Sequence, residues 1–366
     1  MSKRFRLLYA GAVILAAVVA SSATGALVLT AVGAKPWATY GVIFAGPLQD
    51  LFGVTEVLVR AVPLILVALG IAISFRSGIL SASAVALGLP DLPRVVLLPL
   101  CIVAGGVGGA AWGGIAGVLR AKLAVNEILS TVMLNYIAAQ LYTFLLRGPM
   151  IDPAELTTGS GTPQSMRLPR AAWLDRLVPG TRLHTGLVVA LVLAVLVWLL
   201  LWRTTFGFRM RAAGAGSKAA RYAGIHVERS LVIAMLFAGG FAGLAGAVEV
   251  AGVHHRAIEA ISAGYGFAGI VVALFGGLHP AGIVPAAVFF GLLLVGADMT
   301  QRSAGVPANM ILVLQGVIIL AIVSAKMVLD NPYAQERAAR LLRRLGLMNA
   351  PRPVDDAGEL SAGAEQ

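Results

Sequence analysis

The sequence predicts an all-α polytopic bundle of about nine membrane spans plus one short broken or re-entrant element. Three observations predict it. Nine apolar runs are long enough, or nearly so, to cross a hydrocarbon core of about 30 Å as tilted helices. Charged residues make up 12% of the 366-residue chain and hydrophobic residues 58%, more apolar surface than a soluble core can hide. The basic residues gather in alternate connections between the runs, as the positive-inside rule requires.

Taken in order, the runs are 7–32, 57–75, 95–119, 128–146, 186–202, 230–250, 264–278, 281–297 and 307–329. The first follows a basic start, Lys3 to Arg6, and is too long for the apolar part of a signal peptide, so it reads as a retained span. With the N-terminus inside, most of the 28 Lys and Arg fall on the cytoplasmic side, Arg76, Arg120 and Lys122 among them, which predicts N-in and C-in. The net charge of +11 is then explained by topology and anionic headgroups, with no nucleic acid needed. Residues 1–329 form the permeation domain in this reading. Residues 330–366 form a charged cytoplasmic tail, disordered toward its end. The long external connection, 147–183, is rich in Pro, Gly, Ser and Thr; it is either a contact surface for a soluble partner or a solvated connector.

One stretch breaks the count. If Arg76 and Arg120 both lie inside, an even number of crossings separates them, yet only 95–119 is full length. The remaining apolar piece, 79–90, is about 18 Å long as a helix and cannot span. It must be a short helix or re-entrant turn, with Ser81 and Ser83 facing protein or water.

Within the spans, Gly105, Gly109, Gly113 and Gly117 recur every fourth residue, and Gly239, Gly243 and Gly246 form a second set. Small residues at this spacing let helices approach closely in lipid. Polar groups inside a membrane are costly and mark function by default. Glu127, Thr131 and Asn135, at i, i+4 and i+8, share a helix face and could line a solute pathway. Alternatively Asn126 and Glu127 cap the helix start and the others bond between helices. Glu249 and Asp298 fall near outer helix ends, as interfacial residues do.

No catalytic or metal site is expected. His254 and His255 are adjacent, so on a helix their rings point about 100° apart, and Cys101 stands alone. The run GAGSK at 214–218 lacks the Gly-Lys-Ser/Thr order of a phosphate loop, so the chain has no nucleotide site or other cofactor of its own. The basic loop 203–229 contains a small-residue helix that Ser217 could cap, running through Lys218, Ala219, Ala220, Arg221, Tyr222 and Ala223 to Gly224. With Gly207, Arg211 and Gly214 before it, the loop could dock rigidly into a cleft on a soluble protein, or simply be a positive connector.

That loop together with FAGGFAGLAGAVEVAGVHH (237–255) resembles the permease subunits of bacterial ABC importers of the nucleoside and simple-sugar type, within the branched-chain amino acid/ribose permease family. Further resembling blocks are TEVLVRAVPLILVALGIAISFRSG (55–78), VNEILSTVMLNYIA (125–138), GYGFAGIVVALFGGLHPAGI (264–283) and VPANMILVLQG (306–316). The resemblance implies that the loop helix touches an ABC ATPase subunit carrying the ATP. It also implies a second permease subunit, identical or different, and an extracytoplasmic solute-binding protein that delivers a small polar solute. In the family, the match to FRSGIL (75–80) runs on into a polar Asn-Ile-Gly-Ala-Glu-Gly-Gln stretch and a complete helix. Here SASAVALGLPDLP follows directly, which opens the alternative of a transport-impaired variant. A secondary transporter would need ionisable groups at mid-depth, and a membrane enzyme clustered carboxylates or histidines.

Overall fold

The computed structural model describes residues 3–31, 33–70, 75–158, 162–259, 261, 262 and 264–304, with scattered residues between 313 and 329. They form thirteen α-helices: α1 (Lys3–Ala31), α2 (Pro36–Ala45), α3 (Leu51–Leu69), α4 (Phe75–Gly88), α5 (Arg94–Leu123), α6 (Glu127–Arg147), α7 (Pro153–Thr158), α8 (Gly186–Arg203), α9 (Thr205–Ala215), α10 (Ser217–Tyr222), α11 (Val227–Glu249), α12 (Tyr265–Phe275) and α13 (Pro280–Ala304). A π-helical turn, Val250–His254, extends α11.

The chain divides into two compact units. In the first, made of Met1–Val28 and Val313–Gln366, the Tyr9 hydroxyl donates to the Val328 carbonyl at 3.0 Å. The second, Leu29–Leu312, holds the rest. The tail 330–366 and most of the run 307–329 lie outside the described residues.

Six helices among the described residues are long and apolar enough to cross a membrane, or seven if α2 and the end of α1 count as one broken span. The count of about nine is not matched among the described residues, and the ninth run, 307–329, lies mostly outside them. Run 264–278 yields only the 11 helical residues of α12, about 16 Å, because Gly276 and the left-handed Gly277 and Leu278 turn the chain toward α13.

The core of the second unit is a seam between α5 and α11, built on glycine. A methyl group on Gly109 would lie 2.7 Å from the Gly243 Cα, one on Gly113 2.9 Å from the Gly239 Cα, and one on Gly117 2.9 Å from the Met235 Cβ. Gly105 meets Gly243 one turn further along, and Gly246 is buried on the same helix. The helices run antiparallel, so i, i+4 spacing on one meets its counterpart on the other at every turn. Backbone contacts backbone, the close approach that dispersion rewards in lipid.

The two ends of this seam define the two ends of the bundle. At one end, Arg94 at the start of α5 reaches Asp175 at 2.6 Å and the Trp173 carbonyl at 3.1 Å in the long connection 148–185. Leu168 and Leu174 of that connection donate to the carbonyls of His255 and Ala251. At the other end lie α9 and α10.

Helices α3 and α4 both pack on α11 from the long-loop end. Glu56 near the top of α3 is held by Arg182 of the loop, and α4 leads out again to Arg94. Their inner ends stop at mid-depth. A methyl on Gly70 would lie 2.6 Å from the Phe241 Cβ, halfway along α11, and Ser81 of α4 lies against Gly108, halfway along α5. The short element is thus a 14-residue helix that starts in the middle of the bundle, with Ser83 fully buried. Arg76 sits in its first turn, at mid-depth. Placing Arg76 with the cytoplasmic basic residues is corrected by this geometry, and the odd crossing count disappears with it. Charge counting assigns residues to sides and has no term for depth.

Candidate functional site

Three groups of polar side chains stand out. The first lies on α6. Asn126 caps the helix, its side chain accepting from the Ile128 and Leu129 amides at 3.0 and 3.4 Å. Thr131 donates back to the Ile128 carbonyl at 3.0 Å. Glu127, Thr131 and Asn135 are half-buried and follow the face that carries the buried Ser130, Ala138, Tyr142 and Leu146. Asn135 is joined across the bundle by Arg76, whose Nη1 donates to its Oδ1 at 3.3 Å.

The second group sits at the long-loop end. Arg60 of α3 lies 2.9 Å from Asp298 of α13 and 3.8 Å from Glu56 one turn earlier, and donates to the Tyr265 hydroxyl of α12 at 3.3 Å. Arg182 also donates to Glu56, its Nε 3.2 Å from Oε2. Glu249 is buried, with His254 3.5 Å away across the π turn. Asp298 therefore ties α13 to α3, and Glu249, at the end of α11, is buried against protein. Glu56, Arg60 and Arg182 escaped the sequence reading. The available signal was TEVLVR, an acid and a base one turn apart inside an apolar run; the partners on α12 and α13 lie more than 200 residues away.

The loop above this network is anchored by two histidines. His255 stacks on Trp173 at 3.9 Å with the rings 11° apart, and Arg167 covers the same tryptophan. The His184 ring is enclosed by Gly186 and Gly252, where any side chain would collide with it. Its Nδ1 accepts from the Gly186 amide at 3.1 Å, which puts the proton on Nε2. Burial, with His255 nearby, pushes His184 down to about 4. Burial and Arg167 lower His255 as well. No group of three or more His, Cys, Asp or Glu among the described residues is placed to hold a metal ion.

The third group is the connection from α8 to α11. Thr204 caps α9, accepting from the Gly207 amide at 3.1 Å, and Gly207 is buried where a methyl would strike the Leu201 backbone. Helix α10 starts at Ser217, but its cap is Gly216 with no side-chain bond, so the expected Ser217 cap is not formed. Gly224 ends the turn at φ +78, a conformation that disfavours any other residue. Ala220 is buried at 4% exposure and seats the helix on its own chain. Arg211, Gly214, Lys218, Ala219, Arg221 and Tyr222 face outward, Tyr222 at 94% exposure and Arg221 paired with Glu228. The knob is basic and carries a fully exposed tyrosine. A cleft between α2 and the end of α13, bordered by Gln49, Asp50 and Arg302, shares no residue with any of the three groups.

Comparison with known proteins places this arrangement. The model of a family described as branched-chain amino acid transport system, permease component, matches residues 53–323. The chain belongs to that permease family. The family is one of transport subunits, not of enzymes. Among curated relatives, a glucose ABC transporter permease protein of Haloferax volcanii is 37% identical over 84% of this chain and 86% of its own. A guanosine ABC transporter permease protein of Bacillus subtilis is 33% identical over 85% and 92%. A nucleoside ABC transporter permease protein of Lactococcus lactis is 32% identical over 89% and 94%. No solved structure matches. This permease is thus a multi-pass membrane protein, and the seam, helices α3 and α4 and the α10 knob are parts of a transport subunit.

Proposed function

We propose that this permease is the pathway subunit of an ATP-driven importer that carries nucleosides across the cytoplasmic membrane. The observation that carries the reading is the pair of relatives named for guanosine and nucleoside transport, which align with 85% and 89% of the chain. The glucose permease relative supports a sugar as the second reading. The α10 knob is the docking point for a partner ATPase on the cytoplasmic side, and the connection 148–185 faces the solute-binding protein. A second permease, the same or different, completes the pathway. Both termini lie inside. ATP binding to the partner biases two packings of the bundle, which is alternating access in physical terms. The shortened segment is accommodated as α4, with Ile79, Ala82, Ser83 and Ala86 buried, and transport is intact in this reading.

The test is uptake of labelled guanosine and of labelled glucose by cells expressing the complete operon-encoded assembly. Guanosine uptake that disappears on deletion of this chain is the expected result; glucose uptake alone would favour the second reading. Tyr222→Ala should leave expression and folding intact and remove co-purification of the ATPase. Ala220→Phe should damage α10 itself, because that side chain is buried. Retention of the ATPase by folded Tyr222→Ala protein would refute the docking assignment.

A further inference from the structure

We propose that Arg76 and Asn135 form a solute subsite at mid-depth that takes a nucleobase edge presenting two adjacent hydrogen-bond acceptors.

The first premise is depth. Asn135 lies eight residues into α6, about 12 Å from its α10 end, and twelve residues, about 18 Å, from its long-loop end. Arg76 reaches it from the start of α4, whose Ser81 lies against the midpoint of α5. A guanidinium at this level of a bilayer is expensive and needs compensation.

The second premise is that the protein does not supply it. Arg60, Arg94, Arg147, Arg182 and Arg221 each meet a carboxylate. Among the described residues Arg76 has none; its one hydrogen bond goes to a neutral carboxamide. A guanidinium carries five N–H donors and no acceptor, so most of its capacity is unused.

The third premise is access. The buried residues of α6 follow a four-residue ladder, Ser130, Ala138, Tyr142 and Leu146, with one rung missing. The missing rung is Leu134, and it, Asn135 and Arg76 are all only half-buried. All three keep exposed surface at the level of the charge.

Donors alone select acceptors. The 6-oxopurines, guanine and hypoxanthine, show O6 and N7 side by side, the arrangement a guanidinium binds with two parallel bonds. Cytosine shows O2 and N3 in the same way. Adenine alternates donor and acceptor on that edge, which suits a carboxamide. Asn135, by holding Nη1, fixes the plane of the fork.

The subsite rests on the nucleoside reading, so the experiment separates the two. Uptake of guanosine, inosine, cytidine and adenosine is measured in cells carrying the complete transporter, with membrane levels of this chain quantified. The wild type should take up guanosine or cytidine in preference to adenosine, and which of them leads identifies the edge used. Arg76→Gln should lower uptake of that base by about tenfold or more and shift preference toward adenosine, because glutamine matches the adenine edge. Asn135→Asp should reduce uptake of the preferred base while leaving the fold intact, since the new carboxylate engages the guanidinium; this arm decides if Arg76→Gln fails to fold. Equal loss of every nucleoside in folded Arg76→Gln, or wild-type uptake in folded Asn135→Asp, overturns the subsite and leaves the nucleoside reading standing. A wild type that carries no nucleoside overturns both.

Discussion

A single imidazole shows how closely the loop end is fitted. His184 fills the space that Gly186 and Gly252 leave, and its proton-free Nδ1 serves the first turn of α8. An unfolded histidine titrates near 6.5, and this one near 4. Between those values the unfolded chain binds more protons, so the stability is complete above about pH 6.5 and declines as the pH falls toward 4. By pH 5 the loss attributable to this residue should reach about 2 kcal/mol. His184→Asn keeps an acceptor for the Gly186 amide and removes the titration. Thermal unfolding in detergent between pH 7 and 5 should therefore be steeper in pH for the wild type than for the variant. None of this was legible beforehand: His184 stands in a Thr-Arg-Leu-His-Thr connection with no periodicity, and its enclosure depends on Gly252, 68 residues away.

Among the elements, the α5–α11 seam was the most legible, because four glycines at one spacing on an apolar run have few other physical meanings. Which partner they meet was not written in either stripe alone. The geometry gives Gly113 a sharper role than spacing could: a leucine there must displace the Gly239 backbone. Gly113→Leu should cost at least about 2 kcal/mol, or prevent accumulation. Val107→Leu on the same helix, 62% exposed, should be neutral. Melting temperatures of the two variants in one detergent decide this, and equal values would deny the seam its packing role. The α10 helix was legible in extent, from Ser217 to the left-handed Gly224, while its cap was not. Serine one position earlier is a good cap; here the chain places it inside the first turn and leaves the cap to Gly216.

For the whole molecule, composition and run length sufficed for an all-α membrane bundle, while the interior arrangement depends on contacts between segments far apart in the chain. Hydropathy reports how apolar a segment is, and α3 scores as a full span although its end stops beside Ala238 at the middle of α11. Labelling of single cysteines in a Cys101→Ala background tests the arrangement. Cysteines at Ala219 and Arg170 should react with an impermeant maleimide from opposite faces of the membrane, Ala219 from the cytoplasm. A cysteine at Ser77 should react from neither face as readily as one at Ala121 reacts from the cytoplasm. Fast labelling of Ser77 from the cytoplasm would return α3 to a complete crossing. The glycine seam also has a mechanical meaning. Helices that touch through side chains can slide by exchanging rotamers; α5 and α11 touch through backbone and have no such slack. In the proposed cycle they would move together. One end of α11 is joined to the α10 knob by a four-residue turn, and the other passes through the π turn to His255 and Ala257, whose carbonyls accept from Leu168 and Ser165 of the long connection that carries Arg182. In the proposed importer, a displacement of α10 would pass along α11, about 35 Å long, toward the long connection at the opposite end.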